Sequence, residues 1–75
     1  MKELVEYIAK SIATNPDEVI VTQTDDGERV LVTLEVAPND KGKVIGREGR
    51  VAQSIRTLLK VAAVKQGTRV VLEII

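Results

Sequence analysis

KVIGREGR, residues 43–50, sets two glycines three positions apart, with an arginine and a glutamate between them and a second arginine after them. The apolar pattern differs on its two sides. Upstream, Lys41 to Ile45 leaves room for little more than one helical turn, and Pro38-Asn39-Asp40 before it has the composition of a helix start, with Asn39 or Asp40 expected to accept the first free N–H groups. Downstream, Val51, Ala52, Ile55, Leu58, Leu59, Ala62 and Ala63 recur at helical spacing. That spacing predicts a long helix over Arg50–Gln66, stopped by Gly67 and carrying Lys65 near the negative end of its dipole. Gly46 is then expected in the left-handed position that ends the short helix, and Gly49 stands just before the long one. Gly46-Arg47-Glu48-Gly49 reads as a tight turn between two helices. N–H groups at the start of the second helix would face into it, the helix dipole favours an anion there, and neither glycine puts a Cβ in the way of a bulky ligand.

The remainder of the chain supplies the scaffold. Met1, Leu4, Val5, Ile8 and Ile12 share one side of an amphipathic helix that should stop at Asn15-Pro16, because the residue before proline is pushed out of the helical region. Val19–Thr24 is rich in β-branched residues, and Arg29–Val36 alternates, with Val30, Val32, Leu34 and Val36 on one face. Asp25-Asp26-Gly27-Glu28 between them closes a hairpin. A last strand runs from Arg69 to Ile75. The order is helix, strand, strand, short helix, long helix, strand: an α+β fold with helices packed on one face of a three-stranded sheet, formed by residues 1–75 as a single domain.

Composition narrows the chemistry. The chain has 75 residues and contains neither cysteine nor histidine, which removes disulfides, thiolate or imidazole metal sites and the usual catalytic triads. No stretch approaches the apolar length of a membrane span and the N-terminus lacks a signal pattern, so a cytoplasmic protein is expected. Net charge is zero, but nine acids face three bases in residues 1–40 and eight bases face two acids in residues 41–75. The quoted turn lies in the basic half, which favours an anionic partner. The glycines fit neither a P-loop nor a Rossmann spacing. Asp25, Asp26 and Glu28 lack a companion cluster for a metal, and neither Ser11 nor Ser54 lies in a nucleophile elbow. No catalytic residue, metal or cofactor is assigned.

The turn in this context, from Val44 to Val51 after two strands and before a long helix and a third strand, resembles the KH domain in its bacterial, type II chain order. The resemblance covers essentially the whole chain, including MKELVEYIAK at the start, VAPND before the short helix and RVVLEII at the end, which look like those of small single-domain bacterial KH proteins. It implies a single-stranded RNA-binding protein that clamps about four nucleotides through a G-x-x-G loop, acting for example as an RNA chaperone or post-transcriptional regulator. Carried onto this chain, Gly46, Arg47, Glu48 and Gly49 would contact the sugar-phosphate backbone, with Lys43 and Arg50 flanking it. Val44, Ile45 and Val51 are candidates either for the apolar floor or for ordinary core, and bases would lie between the two helices and the second strand. Aliphatic contacts to bases fit a chain with one tyrosine and no other aromatic residue; Tyr7 reads as a half-exposed packing residue. Glu48 opposes phosphate by its charge. Thr57, Val61 and Val64 form an uncharged strip on the long helix and a candidate homodimer contact. The resemblance also implies pairing with a larger KH-containing RNA-binding protein. The competing function is a protein assembly module acting mainly through such a partner.

Overall fold

A computed structural model describes residues 1–75. Helix α1 (Lys2–Ile12) leads through a short 3-10 turn to the hairpin β1 (Ile20–Asp25) and β2 (Arg29–Glu35). A second 3-10 turn, Pro38–Asp40, opens the five-residue α2 (Lys41–Ile45). The tight turn Arg47–Gly49 joins it to the 16-residue α3 (Arg50–Lys65), and β3 (Arg69–Ile74) follows. The sheet order is β1-β2-β3, with β1 antiparallel and β3 parallel to the central β2. The expected α+β order and the helices on one sheet face are both present.

Alternation along β2 buries Val30, Val32 and Leu34 toward the helices and leaves Arg29 and Glu35 exposed. Those valines and Leu34 meet Val5 and Ala9 of α1, Val44 of α2, Ile55 and Leu59 of α3, and Leu72 of β3 in one core. The helical stripe of α1 is centred on Val5 and Ala9, both fully buried; Leu4, expected inside, sits at its rim, 36% exposed. Tyr7 is 74% exposed and packs far less than expected. Leu58, read as a core position of α3, is 50% exposed because α3 buries the face carrying Ala52, Ile55, Leu59 and Ala63.

Local chemistry explains the element ends. The hairpin turns at Gly27-Glu28, with Gly27 at φ +91°, a conformation glycine adopts freely, and Asp26 N–H bonding Arg29 O at 3.1 Å. Asp26 accepts from the N–H groups of Glu28 (3.1 Å) and Arg29 (2.9 Å), and Asp25 from Gly27 (2.9 Å), so these acids are engaged by their own turn. At the end of α3, Gly67 adopts φ +70° while Thr68 N–H reaches Ala63 O (2.9 Å) and Gly67 N–H reaches Val64 O (3.1 Å), a Schellman stop.

Candidate nucleic-acid interface

The two glycines of the turn do different work. Gly46 has φ 79° and ψ 173°, which is not the left-handed helical conformation expected of it but an extended region open essentially to glycine alone. A Cβ on Gly46 would lie 2.5 Å from Val51 Cγ2 and 2.8 Å from the Val51 backbone nitrogen, so the chain end of α2 presses directly on the head of α3. Gly49 is the left-handed residue, at φ 75° and ψ 14°, and a Cβ there would meet nothing within 4 Å. Glu48 is also left-handed, with φ 57° and ψ 25°, the one non-glycine residue of the chain with positive φ. Two left-handed residues in succession, closed by Gly49 N–H to Gly46 O at 3.2 Å, reverse the chain between the helices. No side chain caps the start of α3, whose first-turn N–H groups therefore lack a side-chain acceptor.

The side chains around the turn divide into those that face outward and those that do not. Arg47, Glu48 and Arg50 are exposed; Arg50 Nη2 reaches Glu48 Oε2 at 3.5 Å, while Arg47 has no acidic partner. Ile45 is 40% exposed and presents apolar surface beside the turn. Val44 does not: it is fully buried in the core, which removes it from any contact with a surface ligand. Val51 is half-buried, packed on the core and against Gly46. Lys43 is exposed, and its ammonium donates to Thr14 Oγ1 at the exit of α1.

Asp40 gives the reason for that placement. Asp40, one of the two residues, with Asn39, expected to cap α2, makes no cap bond there. Its fully buried carboxylate accepts instead from Thr14 N–H and Asn15 N–H, each at 3.0 Å, and Asn15 Nδ2 donates to Asn39 Oδ1 at 3.2 Å. The backbone N–H of Thr14, then that of Asn15, holds the Asp40 carboxyl below its ordinary pKa of 3.8 against the cost of burial, with Lys43 assisting by its charge. Helix α1 ends at Ile12, short of the proline, with Ala13 already extended at φ −68° and ψ 140°, and these bonds hold the residues just beyond that end. They also fasten α1 to the base of α2 and so fix the turn that α2 leads into.

β2 is paired along both edges and its helix-facing residues are buried, so the strand with an open edge beside α3 is β3. The strip on α3 is where the sequence placed it. Val61 is 53% and Val64 69% exposed, Thr57 donates its hydroxyl to Gln53 O at 3.0 Å, and the exposed Leu58 widens the apolar surface. Ser11 and Ser54 each donate to a carbonyl one turn back, Tyr7 O and Arg50 O, as ordinary helix residues do. No helix is long and apolar enough to cross a membrane.

The family model described as KhpA/KhpB, KH domain, matches residues 2–74. The chain is 53% identical to the RNA-binding protein KhpA of Clostridium acetobutylicum, with both chains covered in full. It is 44% identical to the RNA-binding protein KhpA of Aquifex aeolicus, over the whole of this chain and 95% of that one. No solved structure matches. With helix order, sheet topology and a glycine-bounded turn between α2 and α3 all in place, a match along nearly every residue makes this chain a member of the KhpA/KhpB family of KH domains.

Proposed function

We propose that residues 1–75 act as one KH domain that binds single-stranded RNA by holding its sugar-phosphate backbone at the turn Gly46–Arg50. The observation that carries this reading is the open side of Gly49: no atom lies within 4 Å of where its Cβ would be, at the uncapped start of a 16-residue helix and between two exposed arginines. A phosphate there meets helix N–H groups, the positive end of the dipole and the Arg47 guanidinium without displacing a side chain. Ile45 supplies apolar surface for a base, in a chain with little aromatic surface to stack on. The relatives named above are RNA-binding by name, and their family is non-enzymatic. The test is binding of labelled single-stranded RNA across a salt series, by the wild type and by Arg47→Asp combined with Glu48→Asp. A steep salt dependence in the wild type, lost in the folded variant, supports the clamp; equal binding by both proteins refutes it.

A second reading rests on α3. Leu58, Val61 and Val64 expose apolar surface on a helix whose outer side should be polar, and with Thr57 they fit a contact with a second copy. A pair of clamps would raise effective concentration for a longer RNA. A larger KH-containing RNA-binding protein is the other occupant to be tested, by mixing it with the wild type and with a variant of the strip.

A further inference from the structure

The segment that leads into the turn is too short to hold its own shape. A five-residue helix is well below the length at which helices persist alone, and Gly42 within α2 weakens it further. Packing fixes its C-terminal end, where Val44 is buried in the core and Gly46 abuts Val51. The side-chain hydrogen bonds of residues 38–45 all go to one place, the Thr14-Asn15 segment beyond α1. Asp40 accepts from both N–H groups there, Asn39 accepts from Asn15 Nδ2, and Lys43 donates to Thr14 Oγ1. Asp40 is the only charged residue buried in the chain. It stands apart from the turn, with Gly46 roughly 9 Å further along at a helical rise of 1.5 Å per residue. A buried charge is a costly way to gain stability, and its best-attested use is to admit one geometry and reject others. Here a planar carboxylate with one N–H at 3.0 Å on each oxygen accepts a single relative placement of α1 and α2.

We propose that Asp40 is a positioning residue of the RNA site. Through Thr14 and Asn15 it seats the start of α2 against the end of α1, and so keeps the Gly46–Arg50 turn in the shape that accepts a phosphate, while touching no RNA itself. The role rests on the clamp reading above. It makes the end of α1, remote from the turn in sequence, part of what sets RNA affinity. Charge alone predicts the opposite effect: removing an acid from a protein that binds a polyanion should tighten binding. Weaker binding by Asp40→Asn therefore reports geometry.

The test is anisotropy of a fluorescein-labelled ten-nucleotide oligouridylate in a salt series, with amide hydrogen exchange followed by NMR and circular dichroism showing which proteins are folded. Asp40→Asn keeps the size of the side chain but sets an NH2 group against one of the two N–H donors. If the released turn is binding-ready about one-tenth of the time, apparent affinity falls about tenfold, while the salt slope, which counts phosphate contacts, stays that of the wild type. The amides of Gly46 and Gly49, bonded to Gly42 O and Gly46 O, should exchange faster than in the wild type. Val5→Ala truncates the core at the other end of α1 and controls for lost stability alone; folded, it should bind RNA as the wild type does. Asn39→Ala removes only the exposed bond to Asn15, and should show both effects of Asp40→Asn at smaller size. Wild-type or tighter binding by folded Asp40→Asn overturns the proposal, as does an equal loss in Val5→Ala. Should Asp40→Asn fail to fold, unchanged binding by Asn39→Ala overturns it. If Arg47→Asp, Glu48→Asp binds the probe like the wild type, the clamp reading fails and the role in RNA binding falls with it; the exchange rates then report separately whether Asp40 holds the turn.

Discussion

Replacing Gly46 with alanine should remove a large part of the protein's stability, whereas the same change at Gly49 should remove much less. The Gly46 methyl would stand 2.5 Å from Val51 Cγ2 and 2.8 Å from the Val51 nitrogen. The valine side chain can rotate away; the amide at the head of α3 cannot, so the turn or the helix has to shift. Holding an L-residue at φ 79°, ψ 173° adds about 1–3 kcal/mol, and forced overpacking about 1–3 more. The total, roughly 2–6 kcal/mol, compares with a stability of about 4–11 kcal/mol for a chain of this length at typical per-residue values. With about 4–8 °C of melting temperature per kcal/mol in a domain of this size, Gly46→Ala should lower Tm by at least about 10 °C. Gly49→Ala meets no atom and costs only the left-handed strain, about 1–2 kcal/mol, partly offset by the stiffer unfolded chain. Gly42→Ala, in α2 with open space around it, should stabilise by about 0.5–1 kcal/mol. Thermal and urea melts followed by circular dichroism at 222 nm give the ranking. Equal losses at the two turn glycines, or a Gly46→Ala melt within a degree or two of wild type, would refute the packing argument. Gly49→Ala carries a second expectation: folded, it should still bind RNA more weakly, because its methyl occupies the space a phosphate would use.

Glu48→Asn should raise stability by up to about 1 kcal/mol, since asparagine tolerates the left-handed conformation better. It should also tighten RNA binding by removing a carboxylate and freeing Arg50; weaker binding in the anisotropy assay would contradict this. Asp40 has a lowered pKa in the folded state, so its contribution is complete above the ordinary carboxyl value of 3.8 and is lost as pH falls below it. Urea melts from pH 7 to pH 2 should therefore show a flatter acid limb for Asp40→Asn, which starts less stable because the Thr14 and Asn15 N–H groups lose a charged acceptor. Light scattering on Val61→Glu, Val64→Glu should report a folded monomer if the wild type is a dimer; an unchanged dimer mass excludes the strip.

The element order was legible because periodicity and punctuation agreed at each step, from the β2 alternation to Gly67 after α3. The turn was legible too, as two glycines between a short and a long helix. What escaped was set by contacts between elements distant in the chain. α2 has five residues, too few for a period to show which of Val44 and Ile45 points inward, and only packing on β2 and α3 decides that Val44 is core. The two glycines look alike in sequence and differ because one abuts Val51 and the other faces open space. Asp40 carries the composition of a helix cap, yet a buried carboxylate does better with two N–H donors from the end of α1, a partner no local pattern reveals. The pairing of Arg29 with Arg69 was likewise hidden, since they become neighbours only through a strand register that skips two helices.

That register also orders events during synthesis. α1, β1 and β2 are made before α3 and can form a hairpin with a helix on it through contacts close in sequence, but the second edge of β2 waits for β3, which is made after α3. Even Ile75 takes part, its N–H bonding Leu34 O at 2.9 Å. Pairing across so long an interval is slow compared with hairpin or helix formation. Until it happens, β2 offers an unpaired edge to the surroundings, the kind of surface that recruits strands from other chains. The growing chain is therefore most open to misassembly in the interval between completing α3 and seating β3.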